Sequence, residues 1–190
     1  MGKTQLGPQT LIYPMPTVLV GANVDGKPNF MAVAWCGVAN IVPPMISIAV
    51  RQQRYTLKGI GQTGEFSINV PSVNQVREAD YCGIASGSKV DKADVCGFKV
   101  FYGNLENAPL IEQCPVNLEL KVVQTLELGS HELVIGRVEE THVSEECLTD
   151  GRPDVTKIRP FIFTTAREYY AFGEMIATAF SVGRELGEKG

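Results

Sequence analysis

The chain has 190 residues, a formal net charge of −4, and a composition that is 44% hydrophobic and 20% charged, with 19 Gly and 11 Pro. That length predicts one domain over residues 1–190, able to bury a core without a disulfide or metal staple. The composition excludes a disordered, collagenous or coiled-coil chain, and the mild acidity excludes a general nucleic-acid binder, which needs a broad basic surface.

Along the chain, the opening residues from Met1 to Leu6 lead into no apolar signal core. Val18-Leu19-Val20 and Phe30 to Trp35 flank Asp25-Gly26, a hairpin turn signal. From Pro28 to Val50 no residue is charged. A helix of that length would cross a bilayer, but Pro43-Pro44 would break it. The run therefore predicts two buried strands joined by a Pro-Pro turn, and no membrane span. A short helix is expected from Tyr55 to about Gly61. Gly59-Ile60-Gly61-Gln62-Thr63-Gly64 matches G-x-G-x-x-G, with Asp80 at the distance of a ribose-binding acid. The dinucleotide fingerprint must follow a strand and open a helix. Here a helix precedes the glycines and the strand from Glu65 to Val70 follows, which predicts a glycine-rich helix C-terminus instead.

Phe66, Ile68 and Val70 alternate with Ser67 and Asn69, as in a strand. Ser72 is a suitable N-cap for a helix to about Tyr81. Val116, Leu118, Leu120 and Val122 alternate with Asn117, Glu119 and Lys121, and the phase slips at Val122-Val123, which predicts a bulge or bend. Leu133-Val134-Ile135 and Val138 belong to another long strand. From Arg167 to about Leu186, Tyr169, Phe172, Ile176, Ala179 and Phe180 recur at near-helical spacing and predict an amphipathic helix with an apolar side for a second subunit. Bent strands in runs with few helices predict a mainly β protein, a closed or split β-barrel.

The five cysteines are odd in number and form no C-x-x-C pair, which predicts a reducing, cytoplasmic setting. The only histidines are His131 and His142, and no Cys/His cluster has zinc spacing. His142, Glu145 and Cys147 fall within the acidic run from Glu139 to Asp154, which reads as a solvated loop. No triad, P-loop or metal set is evident, so no catalytic residue or metal ligand is expected. Two stretches suit a phosphate. In Arg51-Gln52-Gln53-Arg54-Tyr55-Thr56 a strand ends and a helix begins, and helix N-terminal amides favour an anion. Ser86-Gly87-Ser88-Lys89 with Lys92 offers hydroxyls and two ammonium groups. Alone, the first also reads as a capped helix and the second as a solvated turn. Together, beside the uncharged segment from Asn29 to Trp35, they suit a nucleotide-like cofactor with a large flat ring.

These segments resemble a known family. Asn29-Phe30-Met31-Ala32-Val33-Ala34-Trp35, Ile46-Ser47-Ile48-Ala49-Val50-Arg51, Tyr55-Thr56, Phe66-Ser67-Ile68-Asn69-Val70-Pro71, Asp80-Tyr81-Cys82-Gly83-Ile84-Ala85-Ser86-Gly87, Asp91-Lys92, Arg159-Pro160 and Tyr169-Tyr170 are similar in order and spacing to the flavin reductase-like FMN-binding split-barrel family. The resemblance runs from about Leu11 to Leu186; Ala32 departs from it, since the family often has Thr there. It implies FMN held non-covalently near a homodimer interface. By position, Asn29, Met31, Ala34 and Trp35 would line the ring. Ser47, Arg51, Tyr55 and Thr56 would contact the ring edge, ribityl chain or phosphate, as would Ser86, Gly87 and Lys92. His131 and Phe163 would be second-side contacts. Local chemistry alone suits Trp35 equally to a core, His131 to a surface and Lys92 to solvent. The implied activity is electron transfer through FMN from a nicotinamide or protein donor to a redox acceptor. The rivals are an NAD(P)H-dependent flavin reductase that releases reduced FMN, and a non-enzymatic split-barrel module for haem or another ligand, for which two histidines offer few axial ligands.

Overall fold

The computed structural model describes residues 2–186. Its strands are β1 (Met15–Pro16), β2 (Val18–Val24), β3 (Lys27–Val33), β4 (Cys36–Asn40), β5 (Met45–Arg51), β6 (Glu65–Val70), β7 (Val100–Phe101), β8 (Leu110–Ile111), β9 (Val116–Glu127), β10 (His131–Val143), β11 (Leu148–Thr149), β12 (Arg152–Pro153), β13 (Phe161–Phe163) and β14 (Tyr169–Ala171). The helices are α1 (Tyr55–Thr63), α2 (Val76–Ile84), α3 (Lys92–Val95) and α4 (Val155–Ile158). Seven strands form one antiparallel sheet in the order β3-β2-β6-β9-β10-β5-β4, and β1, β13 and β14 form a second, smaller one. The two edge strands, β3 and β4, are joined by Ala34 and Trp35 alone, so the sheet curls until its ends meet, and the Ala49 amide donates to the Trp35 carbonyl at 2.9 Å to continue the β4–β5 pairing. The fold is the expected mainly β split barrel.

Local sequence accounts for the turns. Val24 pairs with Lys27, so Asp25 and Gly26 form a two-residue loop; both have positive φ, 51° and 79°, as the type I′ turn of a tight hairpin requires. Gln124 opposes Ile135 while Val122 opposes Gly136, so Val123 is the extra residue of a bulge where the phase slips. Ser72 and Gln75 form a capping box that leads into α2. The G-x-G-x-x-G stretch is the end of α1: Gly64 is its left-handed cap, and a Cβ at Gly59 would overlap the Asn23 carbonyl of β2. These glycines serve helix packing, not a dinucleotide.

The barrel interior is filled by Val20, Met31, Ile48, Phe66, Ile68, Leu120 and Val134 among others. A second core, with Leu19, Phe30, Cys82, Ile111 and Phe161, lies outside the sheet beneath α2 and β13.

Three expectations are corrected, and one pattern that the sequence left unassigned to a face is resolved. The uncharged run from Pro28 to Val50 holds parts of three strands, and the Pro-Pro turn joins β4 to β5; β4 is mostly exposed, with Val38, Ile41 and Val42 at the surface. The polar alternation of β6 and β9 does not face water. The segment from β7 to β8 covers that face, so Ser67, Asn69, Asn117 and Glu119 are buried and bind its backbone. His142 does not sit in a solvated loop but on β10, against Glu119, and the acidic run continues through β11, β12 and the start of α4. Among the described residues the expected C-terminal helix is absent. Residues 169–171 form β14, with Tyr169 opposite Phe163, so their periodicity serves a strand. Gly173 follows, and among the described residues no surface covers the apolar side chains beyond it; Ile176 is 98% exposed. A helix draws most of its stability from packing of its apolar face.

Candidate functional site

Two adjoining cavities open along the outside of β3 and β5. They share Arg51, Arg54 and Ile84.

The smaller cavity, about 210 Å³, lies between the start of α1 and the loop after α2. β5 delivers Arg51; Arg54, extended, precedes α1 and has no side-chain oxygen with which to cap the Tyr55 and Thr56 amides, while the Leu57 amide donates to the Arg54 carbonyl at 3.0 Å. Helix N-terminal amides and guanidinium groups together favour an anion. Lys92 is 3% exposed and donates from Nζ to the Cys82 and Ala85 carbonyls, each at 3.3 Å. Burial, with Arg54 acting the same way, holds its pKa below the usual lysine value. A bound anion would relieve that cost. Gly87 belongs where it is because a Cβ there would overlap the Asn29 carboxamide. Asn29 in turn donates from Nδ2 to Thr56 Oγ1 at 2.6 Å, both residues being buried. Asn29 thus ties β3 to α1 and to the Ser86–Ser88 turn, whose hydroxyls lie 2.9 Å apart.

The larger cavity, about 550 Å³, has two aromatic walls. On one side Trp35 and His131 stack with ring centroids 4.5 Å apart at 32°. His131 lies opposite Arg51 in the β10–β5 register, and burial and Arg51 lower its pKa. On the other side are Phe163 and Tyr169, with centroids 5.7 Å apart. The Tyr169 hydroxyl donates to Asp80 Oδ1 at 2.9 Å, and burial followed by this carboxylate pushes its pKa up to about 12. Arg167, in left-handed backbone with φ 64°, Thr17, Ala32 and Ala34 are also part of the lining.

Of the residues expected from sequence, Ala34, Trp35, Arg51, His131 and Phe163 line the larger cavity; Met31, Arg51, Tyr55, Thr56, Ser86, Gly87 and Lys92 line the smaller. Trp35 is therefore a cavity wall, not core, and Lys92 is buried, not solvated. Asn29 acts from behind the wall. Ser47 stands apart from both cavities, its hydroxyl donating to the Gly37 carbonyl at 3.3 Å. The expectation missed Arg54, Asp80, Ile84, Tyr169, Arg167 and Thr17. Arg54, Asp80 and Tyr169 fall inside the quoted segments; Thr17 carries no sequence signal.

Among the described residues no cluster of three or more His, Cys, Asp or Glu could hold a metal ion. All five cysteines are free, and burial raises Cys36, Cys82 and Cys114 to about 12, far from a reactive thiolate. No described helix is long and apolar enough to cross a membrane.

Comparison with known proteins agrees with this geometry. Residues 10–169 match the sequence profile of the family described as "Flavin reductase like domain". An uncharacterized protein of Archaeoglobus fulgidus is 31% identical over 145 residues, covering 76% of this chain and 80% of that protein. The crystal structure of a flavoredoxin from Methanosarcina acetivorans superposes with a TM-score of 0.94 at 40% identity, covering 98% of this chain and all of that one. A flavoredoxin of Desulfovibrio vulgaris (Miyazaki F) superposes with a TM-score of 0.90 at 42% identity, covering 96% and 100%.

Proposed function

Because this chain belongs to the flavin reductase-like domain family, we propose that it is a flavoprotein that holds one FMN non-covalently and carries electrons between a donor and an acceptor. The observation that carries this reading is the sharing of Arg51, Arg54 and Ile84 by a cationic pocket at a helix N-terminus and a larger aromatic cavity. A phosphate and a flat ring joined by a short polyol chain need that sequence of surfaces. The solved flavoredoxins similar to this chain support it.

The residues present fit FMN. Arg51, Arg54 and Lys92 would neutralise the phosphate with the amides that open α1 and the Ser86–Gly87 backbone. Trp35, Ala34 and His131 would lie along the ring, with Met31 near the ribityl chain and Phe163 on the far wall. When bound, FMN supplies the redox chemistry; the protein supplies position and electrostatics. Arg51 spans both cavities, so its charge can stabilise negative charge that develops on the ring. Burial and Arg51 lower the His131 pKa, which favours its neutral form. Its role there is packing against Trp35, not charge.

The exposed side chains of Val38, Ile41, Val42, Phe172, Met175, Ile176 and Phe180 support a homodimer. Five free thiols suit a reducing, cytoplasmic compartment.

The test is the visible spectrum of the purified protein, with and without added FMN. A flavin spectrum with release of FMN on denaturation is expected; a colourless protein that takes up no FMN overturns the reading, and a Soret band would replace it with a haem module. Anaerobic stopped-flow then separates two roles. No fast ring reduction by NADH or NADPH is expected of a carrier with a protein donor, whereas rapid reduction assigns an NAD(P)H-dependent flavin reductase.

A further inference from the structure

We infer that the larger cavity receives a small planar anion, and that Arg167 binds the carboxylate or phosphate of that anion at the cavity mouth. The anion is the molecule that exchanges electrons with the flavin, so the inference rests on FMN as the ligand of the cavity.

Charge in this cavity is unbalanced. Arg51, Arg54 and Arg167 line it against one carboxylate, that of Asp80. Arg51 and Arg54 also line the smaller, phosphate-sized cavity; Arg167 does not. A phosphate held by the first two with Lys92 therefore leaves Arg167 without a counter-ion. The chain supplies none. Asp80 Oδ1 accepts from the Tyr169 hydroxyl at 2.9 Å, and Glu168 Oε2, on the residue next to Arg167, accepts from the Tyr170 hydroxyl at 2.7 Å. Each acid is bonded to a tyrosine instead of to the guanidinium. Among the described residues the Arg167 side chain enters no ion pair and no hydrogen bond.

The backbone fixes the root of this side chain. Phe163 lies opposite Tyr169, so residues 164–168 form the loop of the β13–β14 hairpin. The Arg167 amide donates to the Thr164 carbonyl and the Thr164 amide to the Glu168 carbonyl, each at 2.9 Å. The Thr165 hydroxyl bonds the Tyr13 hydroxyl. Arg167 itself is left-handed, with φ 64°, a conformation that costs any residue with a Cβ. No contact of its guanidinium within the described chain offsets that cost. The residue is exposed and still lines the cavity, which places it at the mouth, where a second reactant enters. A guanidinium offers a carboxylate or phosphate two parallel N–H donors. Phe163 and Tyr169, on the same hairpin, offer aromatic surface to a flat body. The surplus of positive charge raises the local concentration of anions over neutral molecules.

The test is equilibrium binding of redox-inert probes to the FMN-loaded protein, read by calorimetry and by the flavin absorption band. Benzoate carries a carboxylate, phenyl phosphate a phosphate, and benzamide has the shape of benzoate without its charge. Benzoate or phenyl phosphate is expected to bind and shift the band, and whichever binds more tightly identifies the anionic group. Benzamide is expected to bind about threefold to tenfold more weakly than that anion, a loss between those of an exposed ion pair and a charged hydrogen bond. Arg167→Gln should weaken the anion by the same factor and leave benzamide and the FMN Kd unchanged. Arg167→Lys, a charge without the planar fork, should keep part of the affinity. Lys99→Gln removes an equal charge from an exposed residue outside the cavities and should change none of these values. Anions that bind no more tightly than benzamide would overturn the inference, as would an Arg167→Gln variant with undiminished anion affinity. An equal loss in Lys99→Gln, or an Arg167→Gln defect confined to FMN itself, would also overturn it. Each of these results leaves the FMN reading standing. A wild-type protein that takes up no FMN removes both.

Discussion

At the scale of single residues, Lys92 shows how burial prepares an ammonium group for a ligand. Its Nζ reaches only two carbonyl oxygens, and its pKa is lowered because water has been removed from around a charge. The charged form is the one penalised. The penalty is complete below the folded pKa and disappears as pH rises through it toward the ordinary lysine value of 10.5. FMN affinity is therefore expected to fall as pH rises toward 10.5 and Lys92 loses its proton. Lys92→Met should weaken FMN about tenfold to a hundredfold, as for loss of a charged hydrogen bond, abolish that alkaline limb, and leave riboflavin binding nearly unchanged. Fluorescence titration with the two flavins across pH checks this; equal losses for both would refute a phosphate role. His131 carries a prediction of the same kind. Burial and Arg51 lower its pKa, so its neutral form is favoured in the fold, and any stability it contributes is full above the ordinary value of 6.5 and lost as pH falls through the folded value. Its imidazole resonances should titrate with a midpoint below 6.5 in the apoprotein, and Arg51→Gln should raise that midpoint.

At the scale of elements, the chain's own patterning was most legible where backbone geometry is local. The Asp25-Gly26 turn, the Ser72 cap, the Gly64 terminus of α1 and the Val123 bulge follow from residue types that few other conformations accommodate. The site was legible where a strand end and a helix start fall together, as at residues 51–56. Alternation does not show where a third layer covers a face. Asn117 and Glu119 look like solvent-facing residues, yet they meet the backbone of the segment that runs from β7 to β8. Glu119 is completely buried; it accepts from the amides of Asn104 at 3.1 Å and Leu105 at 2.6 Å and meets His142 Nε2 at 2.8 Å. Glu119→Gln would turn an amide group toward donors and leave at least one of them unpaired. A loss of about 1–3 kcal/mol in urea unfolding is expected, with FMN binding unaffected because neither flavin cavity includes this cluster.

At the scale of the whole molecule, the unexpected element is the tail. Near-helical spacing of apolar residues after Tyr169 predicted a helix; the side chains of Phe172, Ile176 and Phe180 are exposed, but on a different backbone geometry. Within the described residues 172–186 no helix longer than the 3-10 turn Arg184–Leu186 forms. If the tail joins two copies, removing residues 172–190 should shift the protein toward monomer in sedimentation velocity while each monomer keeps its β signature in circular dichroism. A truncated protein that stays dimeric would assign the interface elsewhere, with the β4–β5 turn the next candidate. The contact between Gly87 and Asn29, and the bond from Asn29 to Thr56, have a further thermodynamic consequence. They make the anion grip and the ring strand a single rigid anvil, so a ligand that spans both cavities gains the benefit of a chelate. The second half arrives at an effective concentration set by a short tether, worth about 10²–10⁴ over either half alone. Free orthophosphate or a phosphate-free flavin should therefore be poor competitors of FMN even at concentrations far above it.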